Sequence, residues 1–319
     1  MDKLIIFGKN KLKGSISVHG AKNAALPILV SSMLSHEDLI LNNVPRVDDI
    51  NNMLKLISFY GGILKINRKT ITLNNSSLKN ISADYDIVRK MRASVLILGP
   101  LLSRFGYSKI SLPGGCAIGT RPIDIHLKGL VKLGAKFKIE NGFVIGTVKN
   151  KLKGNKIKLP FPSVGATENI LMAATLAAGE TVLSNAAREP EVIDLANCLV
   201  SMGAKIDGIG TDTLHVQGVD RLHGADHWVL ADRIEMGSYA VAAAITDGDV
   251  LLRGARMDLM EATVGLLERA GVRFDSDPDG IRVTRAKGGI TGVDIMTEPF
   301  PGFPTDMQAQ LMALMSVAD

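Results

Sequence analysis

The stretch Ser111-Leu112-Pro113-Gly114-Gly115-Cys116-Ala117-Ile118-Gly119-Thr120-Arg121-Pro122 holds the most reactive side chain in an unusual setting. Three glycines and two prolines around one thiol make a loop, not a helix or strand. Loops of this kind often carry function. An ordinary thiol, with a pKa of about 8.5, is protonated at pH 7 yet gives up its proton readily. Cys116 therefore suits a proton donor or a nucleophile. A loop cysteine without a role fits the same residues. The other cysteine, Cys198, sits in an apolar helical stripe, Leu195 to Val200, and reads as core.

Gly20-Ala21-Lys22-Asn23 places a cation and an amide where an apolar helix begins. Free amide N–H groups there favour an anion, and Lys22 adds a point charge. A solvated lysine beside a helix-capping Asn23 is the competing reading. Arg92, in Met91-Arg92-Ala93-Ser94, reads by default as a surface charge, and Arg121 as a loop charge. Pro304-Thr305-Asp306-Met307-Gln308-Ala309-Gln310 opens another apolar helix. By default Asp306 is a cap in its first turn. The six histidines show no metal-ligand spacing, and no Walker or dinucleotide fingerprint is present.

The elements that must position these residues repeat. Tyr60-Gly61-Gly62, Leu133-Gly134-Ala135, Met202-Gly203-Ala204 and Ala270-Gly271-Val272 each close a helical stretch and precede a strand-like run. The spacing is about 70 residues, as expected of a repeated supersecondary unit. A glycine just past a helix end supplies the left-handed conformation that stops it. Each unit reads as a short strand such as Ser15–Val18, a nearly all-apolar helix such as Ala24–Leu34 or Glu235–Ile245, a strand, an amphipathic helix and two strands. An apolar-all-round helix belongs inside. The reading predicts buried helices with sheets and amphipathic helices around them. A fifth unit starts at Ile290 and stops at Asp319 inside its first helix, so a C-terminal part is expected to be missing.

Bulk properties fit a globular chain of 319 residues, 46% hydrophobic and 22% charged. Residues 1–160 carry 26 Lys/Arg against 9 Asp/Glu, and residues 161–319 carry 11 against 23. The halves are +17 and −12, which together make the net +5. The lysines are scattered and aromatics are only 4%, which argues against a nucleic-acid partner. A polyanionic small molecule gains equally from a positive field. No apolar run reaches the ~18 residues of a membrane span. The N-terminal apolar run is too short for a signal peptide, and two cysteines in unlike contexts suit a reducing cytoplasm.

Six stretches in order resemble the UDP-N-acetylglucosamine enolpyruvyl transferase family: Gly20 to Pro27, Met91 to Ser94, Leu112 to Pro122, Ser163 to Asn169, Asn185 to Glu191 and Phe303 to Gln310. The resemblance covers the chain from Met1 to Asp319. It implies an α/β fold of two subdomains, an inside-out α/β barrel built from βαβαββ units. Residues 22–230 would form one subdomain. Residues 1–21 and 231–319 would form the second, left incomplete.

The activity implied is transfer of the enolpyruvyl group of phosphoenolpyruvate to the 3′-hydroxyl of UDP-N-acetylglucosamine, with release of phosphate, for peptidoglycan synthesis. Neither metal nor organic cofactor is implied. By the resemblance, Cys116 is the acid and Asp306 takes the hydroxyl proton. Lys22 and Arg121 neutralise phosphoenolpyruvate. Asn23, Arg92, Arg121-Pro122-Ile123-Asp124-Ile125 and Phe161-Pro162-Ser163-Val164 contact the nucleotide sugar. Phe161 stands where some members carry Lys. Ala231-Asp232-Arg233-Ile234-Glu235-Met236 departs from the usual Pro-Asp-Arg-Ile-Glu-Thr. The family places further arginines for phosphoenolpyruvate in the C-terminal quarter, so these 319 residues alone are expected to release no phosphate. The related shikimate-pathway transferase lacks the loop cysteine. A non-catalytic fragment that only holds the nucleotide sugar is the other alternative.

Overall fold

The computed structural model describes residues 3–79, 92–111 and 123–319, and of Arg92 the backbone alone. Cys116, Arg121 and Pro122 lie outside the described residues. The first pass of the chain is β1 (Lys13–Ser17), α1 (Lys22–Ser31), β2 (Leu39–Asn42), α2 (Asp48–Phe59), β3 (Ile63–Asn67) and β4 (Thr70–Asn74). The second has a 3-10 turn, Arg92–Ile97, running into α3 (Leu98–Phe105), then β5 (Tyr107–Ser111), α4 (Asp124–Lys132), β6 (Lys136–Glu140) and β7 (Phe143–Thr147). The third is β8 (Lys156–Lys158), α5 (Val164–Thr175), β9 (Glu180–Ser184), α6 (Pro190–Ser201), β10 (Lys205–Asp207) and β11 (Thr213–Gln217). The fourth is β12 (Ala225–Trp228), α7 (Arg233–Ile245), β13 (Asp249–Arg253), α8 (Glu261–Arg269), β14 (Val272–Asp277) and β15 (Gly280–Arg285). A last helix, α9 (Gln308–Met315), follows.

The repeat is visible in backbone detail. Gly61, Gly134, Gly203 and Gly271 have φ of 100°, 102°, 97° and 91°, a region that side chains disfavour. After α2, Gly61 N donates to Ser58 O at 2.9 Å and Gly62 N to Ile57 O at 3.0 Å, the paired bonds of a Schellman end. The carbonyl just before each glycine accepts an N–H from about twenty residues on. Lys79 donates to Tyr60, Lys153 to Leu133, His223 to Met202 and Thr291 to Ala270. One helix ending and one return contact thus occur four times.

The sequence unit and the spatial unit differ by one strand. β1 pairs parallel with β13, from Lys13 opposite Asp249 to Ser17 opposite Arg253, and not with β2. β12 pairs parallel with β2 instead. In the third pass β8 stays with its own β9. Among the described residues the sheets are ordered β1-β13-β15-β14, β12-β2-β4-β3, β5-β7-β6 and β10-β11-β9-β8. Alternation reports that a strand exists, while any matching parallel edge can take it.

The chain divides into two units, Lys22–Leu230 and Met1–Ala21 with Ala231–Asp319. In Lys22–Leu230 the helices with no polar face lie inside. α1 is buried from Ala24 to Ser31 and α5 from Ala166 to Thr175. α3 meets α5 so closely that a Cβ on Gly99 would be 2.5 Å from both Asn169 O and Oδ1. The amphipathic α2 and α6 bury one stripe each. In the other unit, α7 is as apolar as α1 yet buries only Met236, Gly237, Ala240, Val241, Ala243 and Ala244. Among the described residues no helix is long and apolar enough to cross a membrane.

Candidate active site

In Lys22–Leu230, Lys22 is the first residue of α1, and its Nζ lies 3.1 Å from Asp49 Oδ2 in the first turn of α2. Asn23 is exposed and already inside the helix, so it is not the N-cap that one reading of the sequence expected. Arg92 begins the 3-10 turn that leads into α3. Ile123 is buried just before α4, and Asp124 opens the helix with a 2.8 Å bond from Lys128 Nζ. That bond from Lys128 holds the Asp124 carboxyl below its ordinary range.

Phe161 and Pro162 are exposed and precede α5, whose N-cap is Ser163. The Ser163 side chain makes no capping bond, so it satisfies none of the first-turn amides of α5. Such amides, with the helix dipole behind them, favour an anionic group.

Behind these exposed positions are polar side chains that the sequence reading did not single out. His126, in the first turn of α4, is 4% exposed. Its Nδ1 is 3.2 Å from Asn169 Nδ2 on α5. Glu168 is buried on the same helix, and among the described residues its Oε1 has no hydrogen-bond partner. Burial first, and then the charges of Glu191 and Glu189, push its carboxyl well above the usual range. The signal was present: Thr167-Glu168-Asn169 interrupts an otherwise apolar helix, and a buried polar group is the informative exception. Cys198 is buried in α6, and burial pushes its thiol up to about 12.

In the other unit, Asp306 lies in the 3-10 turn Thr305–Met307 and is exposed. Asp306 stands in the first turn as expected, but the expectation of a cap is corrected: the N-cap is Pro304, which has no side-chain donor or acceptor, and Asp306 makes no capping bond. α9 is held to α7 by a 2.9 Å bond from Gln310 Nε2 to Ser238 Oγ. Met307 packs on Gly237, where a Cβ would be 2.7 Å from its Cε. α7 itself is capped by Asp232 Oδ1, which accepts from Ile234 N at 2.9 Å and Glu235 N at 3.0 Å. Glu235 accepts from His19 N at 2.7 Å and from Tyr239 OH at 2.8 Å, with His19 Nδ1 at 2.9 Å. Burial would raise the Glu235 carboxyl, but these hydrogen bonds together outweigh it and hold it low. Among the described residues no cluster of His, Cys, Asp and Glu has the geometry of a metal site.

The family model described as EPSP synthase (3-phosphoshikimate 1-carboxyvinyltransferase) matches residues 6–319. A protein of Paramagnetospirillum magneticum named UDP-N-acetylglucosamine 1-carboxyvinyltransferase is 57% identical over 327 residues, covering 100% of this chain and 76% of its own. One of the same name from Granulibacter bethesdensis is 55% identical over 324 residues, with the same coverage, 100% and 76%. Among solved structures, the enolpyruvyl transferase NikO from Streptomyces tendae superposes with a TM-score of 0.86 at 22% identity, covering 98% of this chain and 74% of that one. The EPSP synthase of Acinetobacter baumannii gives 0.71 at 22% identity, over 91% and 68%.

Proposed function

Because the chain belongs to the enolpyruvyl (carboxyvinyl) transferase family, we propose that it moves the enolpyruvyl group of phosphoenolpyruvate onto the 3′-hydroxyl of UDP-N-acetylglucosamine and releases phosphate. The observation that carries this reading is the 57% identity, along the whole chain, to a relative named for that reaction. The solved shikimate-pathway relative is 22% identical.

The chemistry is addition followed by elimination. C3 of phosphoenolpyruvate gains a proton, and the sugar oxygen bonds to C2 as its own proton leaves. The resulting tetrahedral ketal then loses a C3 proton and phosphate, which restores the double bond on the sugar. Cys116 is assigned the proton given to C3, and Asp306 the proton taken from the hydroxyl. Lys22 and Arg121 balance the phosphate and carboxylate charges, which must be paired once removed from water. Asn23, Arg92, the stretch from Arg121 to Ile125 and the stretch from Phe161 to Val164 hold the nucleotide sugar. The uncapped start of α5 beside Ser163 suits its diphosphate. Phe161 brings no charge there. Both substrates are small phosphorylated molecules of the cell interior, and the cytoplasm is the proposed location.

Calorimetric titration of the purified chain tests this reading. Saturable binding of UDP-N-acetylglucosamine is expected, with none of shikimate 3-phosphate. In a chain extended to the length of its relatives, phosphate release should require both phosphoenolpyruvate and the nucleotide sugar. Preference for shikimate 3-phosphate would reassign the acceptor.

A further inference from the structure

Asn169 lies in the second turn of α5, fully buried, and its amide makes three hydrogen bonds, with both of its N–H donors in use. Oδ1 accepts from Gly99 N at 2.8 Å. Nδ2 donates to Val95 O at 2.9 Å and to His126 Nδ1 at 3.2 Å. The amide orientation follows from its neighbours, since a backbone N–H needs an oxygen opposite and a backbone carbonyl needs an N–H. His126 Nδ1 is therefore the acceptor, and its ring proton sits on Nε2. The far edge of the same ring lies against Gly165 in the first turn of α5. A Cβ there would be 3.1 Å from His126 Cε1 and 3.5 Å from Nε2.

The partners come from three segments. Val95 belongs to the 3-10 turn that begins at Arg92. Gly99 is in the first turn of α3. His126 follows directly on Ile123-Asp124-Ile125. Asn169 itself is five residues past Val164. An apolar side chain would fill this interior as well, but it would not choose among small displacements of the helices. An amide held by three bonds does, because those bonds are directional and a buried polar group left without its partner is costly.

We propose that Asn169, acting through His126, is a positioning residue for the nucleotide-sugar site. It fixes the starts of α3, α4 and α5 against one another, and so sets the distance between Ile123–Ile125 and Phe161–Val164. The inference rests on the reading that these two stretches hold UDP-N-acetylglucosamine. All of its residues belong to Lys22–Leu230.

The test is calorimetric titration of the full chain with UDP-N-acetylglucosamine for the parent, His126→Phe, His126→Asn, Asn169→Ala and Met172→Ala. Met172 is fully buried on the same helix and bonds to none of these partners, so it measures core damage alone. His126→Phe should weaken binding at least tenfold while hydrogen exchange in α1 and α6 stays at the parent level. His126→Asn places an acceptor oxygen near the Nδ1 position and should recover affinity to within about threefold of the parent. Asn169→Ala, if it folds, should lose at least as much as His126→Phe. Met172→Ala should lower the melting temperature and leave the affinity unchanged. Parent-like binding by His126→Phe, or equal weakening by Met172→Ala, would overturn the inference and leave the substrate assignment intact. No binding by the parent would remove the substrate assignment and this inference with it.

Discussion

Lys22 Nζ stands 3.1 Å from Asp49 Oδ2, so the cation assigned to phosphoenolpyruvate already has a carboxylate beside it. The two side chains are 42% and 39% exposed. An ion pair in that setting contributes at most about 1 kcal/mol to stability. Its consequence is for binding, because an incoming phosphate must compete with Asp49 for the ammonium.

Asp49→Asn removes the competitor and leaves the fold alone. Affinity for phosphoenolpyruvate should rise about two- to fivefold, since fivefold corresponds to roughly 1 kcal/mol. The melting temperature should stay within about 1 °C, given that exposed substitutions cost less than about 0.5 kcal/mol. Titration with phosphoenolpyruvate measures the effect. Weaker binding would mean that Asp49 aims Lys22 and does not compete with the ligand.

Asp306 is exposed and caps nothing, so its carboxylate is not needed for the helix that follows. Asp306→Asn should preserve stability within about 0.5 kcal/mol. Loss of a general base costs about a hundredfold or more in rate. Phosphate release that depends on both substrates, in a chain extended to the length of its relatives, is the assay, and turnover within about tenfold of that parent would refute the role.

Glu168 gives the fold a pH signature. Burial, followed by Glu191 and Glu189, raises its carboxyl far above the ordinary value, so the folded chain keeps a proton that the unfolded chain loses near pH 4.3. The folded state then binds more protons, and this group's contribution falls as pH rises above about 4.3 until the folded carboxyl itself titrates. Glu168→Gln abolishes the slope. Thermal unfolding should match the parent near pH 4, and the variant should be the more stable at pH 8. A variant that is less stable, by a margin growing toward pH 8, would show that the carboxyl is ionised and paired.

The two thiols should separate cleanly. Cys198 is buried with its thiol pushed up to about 12, so almost no thiolate exists at pH 8. An epoxide phosphonate that mimics phosphoenolpyruvate should modify Cys116 alone in the native chain. Iodoacetamide should reach Cys198 only after unfolding in guanidinium. Mass spectrometry reads both, and equal labelling of native protein would contradict the assignment.

The repeat, the helix stops and the buried helices were legible because their causes are local. Glycine at 61, 134, 203 and 271 is written into the chain, and each takes the positive φ that only glycine adopts without strain. The apolar run of α1 lies inside as read, whereas Glu235–Ile245, read as buried in the same way, buries only one side of α7. The candidate site was legible mainly as a set of familiar stretches, and its polar support was not. Asp306 looked like a cap because an aspartate early in a helix usually is one, yet the turn starts at Pro304 and Asp306 makes no capping bond.

Partnership at long range was decided only by tertiary structure. That β1 lies beside β13 and β12 beside β2 follows from which parallel edges meet, more than 180 residues apart along the chain. That Asn169 bonds to Val95, Gly99 and His126 depends on four segments converging in one interior. A strand shows its alternation and a helix its apolar stripe in adjacent residues, so both can be read in order. A hydrogen bond between distant residues leaves no period in the chain, and its partner exists only once packing has brought the two groups within about 3 Å.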